Sequence, residues 1–405
     1  MSAVYWLVTF QSFNQGVFTG ARFLAAVYAV HLGESPLIVG LVVALFSVAP
    51  TFLTVPAGKL MDRIGTRAPL VFGQVLMCVS LAALSFRPGM PLLYAVACII
   101  GAAYFAVYIG ASSIANKLSG PEQRAANFSR MSVGISVGQG VAPMILGYSV
   151  DHLGYPAAFA IAAMFPLLSW ATFGLGRLVH LGPSTQAAAQ QAAQGGTLAL
   201  LRDPALRPVF VISTLFILAW DIFLVMTPIY GSQLGLSASQ IGVLMGSFAV
   251  ASFAARFAAV LLSRRCTPWQ ILLGGLVVMA SGIIVFGLVG VMPLLMSGAF
   301  LVGLGYGICG PMSNTTTYEV APTGRASESM ALRLSLGMAA QSMLPLIVGS
   351  IGSFIAAGPI FVASGVMLLG GAVMERRQWR SKNKGTQALT PLSKGADATK
   401  SRGGI

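Results

Sequence analysis

Long apolar runs separated by short charged connections constrain this chain more than any other feature. A helix needs about 20 apolar residues to cross the bilayer core, and twelve runs of about this size lie between positions 4 and 375. Only 8% of the residues are charged, against about 25% in soluble proteins. Because the runs are helix-length rather than alternating ten-residue strands, the sequence predicts an all-α membrane protein with twelve transmembrane helices.

We number the predicted spans 1 to 12. The first begins at Ala3 or shortly after, and it is too long and has too few basic residues before it for a cleaved signal peptide. In chain order, the spans are predicted at 4–31, 36–57, 68–86, 91–117, 128–150, 157–179, 208–232, 238–262, 269–289, 292–318, 325–355 and 358–375.

Basic residues collect on one set of connections between the spans. Arg87 is the only Lys or Arg on the opposite set. Since basic loops stay in the cytoplasm, we predict a multi-pass protein of the cytoplasmic (inner) membrane with both termini inside. The net charge of +14 follows this loop distribution, so it favours contact with the lipid bilayer and not with nucleic acid.

The two halves of the chain repeat with a shift of 202 positions. One register without gaps holds over more than a hundred residues, which indicates two six-helix bundles related by an axis along the membrane normal. We predict a first bundle at 1–181, a low-complexity cytoplasmic linker at 182–207, a second bundle at 208–376 and a disordered basic tail at 377–405. Matching pairs include Gly33 with Gly235, Gly101 with Gly303, Tyr104 with Tyr306, Pro143 with Pro345, and Gly147 with Gly349.

A short charged connection follows span 2. It contains Gly58, Asp62, Arg63, Gly65 and Arg67 at spacings that closely resemble the loop signature of the major facilitator superfamily, G-x-L-x-D-R-x-G-x-R. The resemblance implies a secondary transporter of twelve helices, similar to the bacterial drug:proton antiporters and acting as a monomer.

In that family this loop faces the cytoplasm and takes part in a latch between the halves. By resemblance, Asp62 approaches the first turn of span 11, at about 323–329, where free N–H groups favour a carboxylate. Asp62→Asn is then expected to slow transport while leaving substrate affinity nearly intact.

Arg22 in span 1 and Asp221 in span 7 are the two charges that we expect to be buried within the predicted spans. Charges are costly in hydrocarbon, so both must face a cavity or a partner. Asp221 aligns with Thr19 under the repeat, which puts the two charges about one helical turn apart in depth. We predict that they face each other, pairing when the outside is closed and separating when it opens. A fixed ion pair, or an Arg22 side chain extending toward the outer interface, remains the alternative.

Other polar and aromatic residues of the spans are typical of a cavity for a partly apolar organic solute. Interhelical hydrogen bonding within each bundle explains them equally well. The candidates are Gln11, Asn14 and Gln15 in span 1, Tyr104 and Tyr108 in span 4, and Tyr306 and Asn314 in span 10.

Span 5 contains Gly134, Gly138, Pro143 and Gly147. This pattern resembles the G-x-x-x-G-P-x-x-G-G signature of proton-coupled exporters, although Ala142 stands where a glycine is expected. Small residues four apart also serve ordinary helix packing.

The sequence therefore favours proton-coupled efflux of a small amphipathic organic compound by alternating access, with Asp221 as the proton carrier. The alternative is a carrier for an organic anion, a metabolite or a siderophore. No cofactor is expected, and the proton gradient is the expected energy source. The sequence has no Walker-type loop and no cluster of catalytic residues, so an enzyme is not expected. The four cysteines lack metal-binding spacing.

Overall fold

The chain forms helices throughout the part that the structure describes. This computed structural model describes residues 3–48, 50, 67–117, 124–175, 200–263, 265–322, 325–352 and 355–374. Its helices are α1 (Ala3–His31), α2 (Pro36–Val48), α3 (Arg67–Phe86), α4 (Met90–Lys117), α5 (Arg124–Leu175), α6 (Leu206–Gln233), α7 (Ala238–Leu262), α8 (Pro268–Leu288), α9 (Met292–Val320), α10 (Ala326–Gly352) and α11 (Ala357–Met374).

Helix α5 accounts for predicted spans 5 and 6. Its 52 residues would extend about 78 Å as one straight helix, more than twice the hydrocarbon thickness of about 30 Å. The backbone leaves helical geometry at Gly154, with φ 80° and ψ 172°, and Pro156 follows. The separate helices predicted at 128–150 and 157–179 are thus joined at a sharp kink, without the predicted six-residue connection.

Nine helices of the described part are long and apolar enough to cross a membrane, and α5 among them is long enough to cross twice. Helix α1 falls outside this set although it is 29 residues long. Its polar residues reduce its hydropathy, and Gln11, Asn14, Gln15 and Arg22 are buried inside the bundle, where a polar side chain of a membrane helix is expected. Helix α2 is described only as far as Val48. The fold is therefore the all-helical membrane bundle that the sequence predicts.

The repeat is visible first in the turns. Gly33 and Gly235, which correspond under the shift of 202, both have positive φ, at 75° and 72°. Each ends the first helix of its half in a conformation that glycine adopts without strain. The same turn therefore starts the second helix of each half.

The repeat is visible again in close helix packing. Within the halves, Gly101 lies against the Phe46 carbonyl and Gly303 against the Phe248 carbonyl, a pair of contacts related by the shift. Glycine is needed at both places because a Cβ would collide with that oxygen.

Contacts between the halves exchange places under the same shift. Gly147 of the first half packs on the Ala238 carbonyl of the second, and Gly349 of the second half packs on the Pro36 carbonyl of the first. A shift that maps one cross-contact onto its reverse indicates an approximate twofold axis between the halves.

Each half has its own hydrophobic core, and a few residues extend into the other. Ala29 and Val43 of the first half pack in the core of the second, and Ala238 and Ile241 of the second half pack in the core of the first. The interface between the halves is thus dry and closely packed at these points, with α1 and α6 facing each other near its centre.

Candidate functional site: an ion pair between the halves

Arg22 of α1 and Asp221 of α6 meet at the interface between the halves. The Arg22 Nη2 atom lies 2.7 Å from the Asp221 Oδ1 atom, and the side chains are 3% and 0% exposed. Within the described part of the chain this is the only salt bridge, and Asp221 is the only fully buried acid. The structure thus brings the two predicted charges together and closes them off from solvent.

The pair is close but poorly supported by hydrogen bonds. Apart from their contact with each other, neither the carboxylate oxygens of Asp221 nor the Nε and Nη2 atoms of Arg22 make a hydrogen bond within the part that the structure describes. A buried ion pair offsets its desolvation only when its remaining donors and acceptors are satisfied. This pair therefore stabilises the closed arrangement only weakly, and protonation of the acid would remove most of its attraction.

Two aromatic stacks flank the pair, one from each half. Phe18 stacks on Tyr104 with ring centroids 4.2 Å apart, and Trp220 stacks on Tyr306 with centroids 5.3 Å apart. These stacks correspond under the repeat. The Tyr104 hydroxyl donates a hydrogen bond to the Gln15 side-chain oxygen, which ties one stack to the polar face of α1.

Tyr104 and Tyr306, one from each stack, interact electrostatically across the interface between the halves. Tyr306 lies within electrostatic reach of Tyr108, Asp221 and Arg256, and its hydroxyl is next to Gln139 of α5. Residues from α4, α5, α6, α7 and α9 therefore converge on one region that combines aromatic rings, an amide and charges. We call Arg22, Asp221, Tyr104, Tyr108, Tyr306, Gln139 and Arg256 the central cluster.

The structure places four of the predicted site residues outside the central cluster, and one of them, Gln15, accepts a hydrogen bond from Tyr104 of the cluster. Asn14 accepts a hydrogen bond from Gln74 of α3 at 3.5 Å, so it links helices within the first half. Gln11 is fully buried, and its amide has no hydrogen-bond partner in the described part of the chain. Asn314 is exposed and accepts a hydrogen bond from Arg333, two turns along α9 from Tyr306. For Asn14 and Asn314, structural hydrogen bonding is the better explanation.

Sequence reasoning missed two arginines inside the bundle. Only Arg22 and Asp221 were expected there, yet Arg333 is 4% exposed and Arg256 is partly buried. Arg333 donates to Ser313 at 3.0 Å and to Asn314, while Arg256 donates to the Ser132 backbone carbonyl. Arg256 lies within predicted span 8 and Arg333 within predicted span 11. A charged residue inside a predicted span is the signal that would have identified both.

The glycines of predicted span 5 lie at close helix contacts. A Cβ at Gly134 would come 2.5 Å from the Val8 carbonyl oxygen, and one at Gly138 would collide with that of Ser12. The Pro143 carbonyl faces Gly242, and Gly147 faces Ala238. The first two therefore pack α5 on α1, and the last two pack α5 on α7 of the other half.

Most of the predicted signature loop lies outside the described residues, namely Gly58, Asp62, Arg63 and Gly65. Arg67 is described, begins α3 and is exposed. The latch between Asp62 and span 11 therefore stays a prediction.

A contact of the same chemistry joins the halves at the opposite face, which the sequence assigns to the outside. Asp151 of α5 accepts hydrogen bonds from the Ala238 N–H at 3.0 Å and the Ser239 N–H at 2.8 Å. These are the first two N–H groups of α7, where a carboxylate is favoured. We call this the outer contact. The predicted spans 128–150 and 157–179 leave Asp151 in the connection between them, with no role assigned.

A cavity of about 330 Å³ lies away from the ion pair, between α6 and α10, near Arg207, Phe210 and Leu336. Its lining is apolar, and it contains no member of the central cluster, so we do not treat it as the candidate site. Within the part that the structure describes, no cluster of three or more His, Cys, Asp or Glu is arranged to hold a metal.

Comparison with known folds agrees with this architecture. A bacterial homolog of the human lysosomal transporter Spinster, in an inward-facing and unoccupied conformation, superposes with a TM-score of 0.68 at 13% identity, covering 92% of this chain and 93% of its own. A POT family transporter in complex with a thioalcohol-conjugated peptide gives 0.75 at 15%, covering 92% and 94%. The nucleoside transporter NupG gives 0.74 at 13%, covering 93% and 99%.

Identities this low show a shared fold alone, and no curated protein sequence matches the chain. The family assignment comes from the sequence profile of the Major Facilitator Superfamily, which matches residues 3–345. That match spans both halves and the central cluster. This chain therefore belongs to the major facilitator superfamily and is a multi-pass membrane transporter, not an enzyme.

Proposed function

We propose that the protein couples movement of a small amphipathic organic compound to the proton gradient, with Asp221 as the proton carrier. The Arg22–Asp221 pair is the observation that carries this proposal. It is buried, it joins the two halves, and it has little hydrogen-bond support. Protonation of Asp221 would leave only Arg22 charged, weaken the interface at that depth and favour separation of the halves.

The aromatic stacks support an amphipathic solute. Phe18 precedes Arg22 by about one helical turn and Trp220 is next to Asp221 in the chain. Their stacks on Tyr104 and Tyr306 therefore bring apolar ring faces and polar edges near the pair, a composition typical of sites for partly apolar ligands. Export is the direction that the resemblance of span 5 implies. The alternative, a carrier for an organic anion, metabolite or siderophore, differs in solute and not in mechanism. The basic loops support a location in the cytoplasmic membrane with both termini inside, and the resemblance to the family supports a monomer.

The test is solute movement in liposomes. Purified protein is reconstituted with a pH-sensitive dye trapped inside, and fluorescent amphipathic compounds of positive, zero and negative charge are offered with and without an imposed pH gradient. The wild type should accumulate at least one of them only with the gradient, and the dye should report proton flux in step with it.

The decisive variant is Arg22→Gln with Asp221→Asn, because it removes the acid without leaving a buried unpaired charge. It should exchange solute across the membrane but lose accumulation driven by the gradient. Asp203→Asn is the matched control, since Asp203 makes only a local bond to the Ala205 N–H. Gradient-driven accumulation that persists in the double variant would exclude Asp221 as the proton carrier.

A further inference from the structure

The charge balance of the central cluster is uneven. Arg22 and Asp221 neutralise each other, and Arg256 adds one positive charge near Tyr306. No described carboxylate lies within salt-bridge distance of Arg256. The region that is to receive the solute therefore has a surplus cation.

Arg256 is also short of hydrogen-bond partners. A guanidinium has five N–H donors, and the Ser132 carbonyl is the acceptor that the described structure offers it. The Arg256 Nε atom is buried without a partner. A buried, incompletely bonded cation is costly unless an anion joins it, and a carboxylate matches the planar geometry of a guanidinium with two parallel bonds.

The neighbours of Arg256 suit the rest of such a ligand. Tyr306 interacts electrostatically with Arg256 and its hydroxyl is hydrogen-bonded to Gln139, and both groups can donate to an anionic oxygen. Behind Tyr306 the Trp220 ring offers an apolar face. Arg256 reaches from α7 of the second half to Ser132 on α5 of the first half, so a ligand bound here would touch both halves.

From these observations, and resting on the function proposed above, we infer that Arg256 binds the anionic group of the transported solute. The solute class is an organic carboxylate with an aromatic or apolar body. The carboxylate takes the free donors of Arg256, and the body lies against Tyr306 and Trp220.

The wild-type protein tests the ligand class by equilibrium binding in detergent, without any gradient. The probes are phenylacetate, 4-phenylbutyrate and 2-naphthoate, each paired with its own amide, and binding is followed by the rise in the unfolding temperature and by tryptophan fluorescence. At least one carboxylate should bind about tenfold or more tightly than its amide, the ratio expected for a charge-assisted contact. Equal binding of acid and amide, or no binding by any of the carboxylates, would overturn the inference.

Variants test the residue. Arg256→Gln should reduce the preference for carboxylate to near unity, and Arg256→Lys should retain part of it because a point charge remains. Arg265→Gln, at an exposed arginine just beyond the same helix, should change nothing. An undiminished preference in Arg256→Gln would reject this site, and if that variant fails to fold, an undiminished preference in Arg256→Lys has the same meaning.

The binding experiments and the transport experiments can refute their two hypotheses independently. Carboxylate binding that depends on Arg256, with no proton coupling in liposomes, would leave the binding site in place and reject the coupling. Gradient-driven transport with no preference for carboxylates would support the coupling and reject the carboxylate site at Arg256.

Discussion

Removing the outer contact should make the outward face of the protein open more often. The first three N–H groups of α7 all have partners. The Ser237 hydroxyl accepts from Gln240 at 3.3 Å within the helix's own capping box, while Ala238 and Ser239 donate to Asp151 of the other half. Two of the three therefore have these protein partners only while the halves touch at this face.

Asp151→Asn gives a change whose size follows from this geometry. The asparagine keeps one acceptor oxygen and loses the second, together with the charge that interacts with the helix dipole. Loss of a helix cap costs about 0.5–2 kcal/mol, and a charge at a helix end contributes about 0.3–1 kcal/mol. Because Asp151 is exposed, solvent compensates part of the loss, and we expect about 1 kcal/mol. That corresponds to roughly a fivefold shift toward the outward-open arrangement.

Cysteine accessibility measures this shift even if the open arrangement is rare. Ala29 is fully buried and packs in the core of the second half, so a thiol there is reached only when the halves separate. In a background without the four native cysteines, Ala29→Cys is labelled with a maleimide in purified protein. When opening and closing are fast, the labelling rate follows the open fraction, and Asp151→Asn should raise it about fivefold.

Asp203→Asn is again the control, because it removes a carboxylate that caps only its own chain segment. It should leave the labelling rate of the Ala29→Cys protein unchanged. An unaltered rate in Asp151→Asn, or an equal increase in both variants, would refute the role of the outer contact in holding the halves together.

Two further expectations concern stability, measured as thermal unfolding in detergent. Gly138→Ala should destabilise by about 1–3 kcal/mol because its Cβ meets the Ser12 carbonyl. Gly174→Ala, in the same helix with nothing within 4 Å, should be neutral or slightly stabilising; equal effects would contradict close packing of α5 on α1. Arg22→Gln and Asp221→Asn should each cost about 3–5 kcal/mol by leaving a buried charge alone, while the double variant should cost less than either. A double variant as unstable as the sum of the two would show that they are not coupled.

The fold was predictable because its determinants are local or periodic. Apolar length located the spans, and the repeat shift of 202 anticipated matched contacts such as Gly101 on Phe46 and Gly303 on Phe248. The kink at Gly154 was harder to predict, because a single glycine in an apolar chain does not distinguish a short loop from a bend between two helices.

The site was predictable only in part. The Arg22–Asp221 pair was predictable because a charge in hydrocarbon is costly without a partner, and because the repeat places these two residues at similar depth. Asn14 and Tyr104 were equally good site candidates in the sequence. Their hydrogen-bond partners, Gln74 and Gln15, depend on how each helix is rotated about its axis, which periodicity does not determine. Arg256 was missed because it lies toward the end of its span, where a long side chain is usually expected to extend into the interface.

Residues that pack the helices often match between the two halves, whereas the buried and contact-forming charges do not. Close packing needs small residues at equivalent places, and glycines such as Gly101 and Gly147 recur as Gly303 and Gly349. The four charges discussed above do not recur: under the shift, Arg22 corresponds to Leu224, Asp221 to Thr19, Arg256 to Thr54 and Asp151 to Ser353. Two identical charges brought together at a twofold interface would repel, whereas a charge present once can attract a different group from the other half. Charges that depart from the repeat are therefore where a function specific to this chain should be sought.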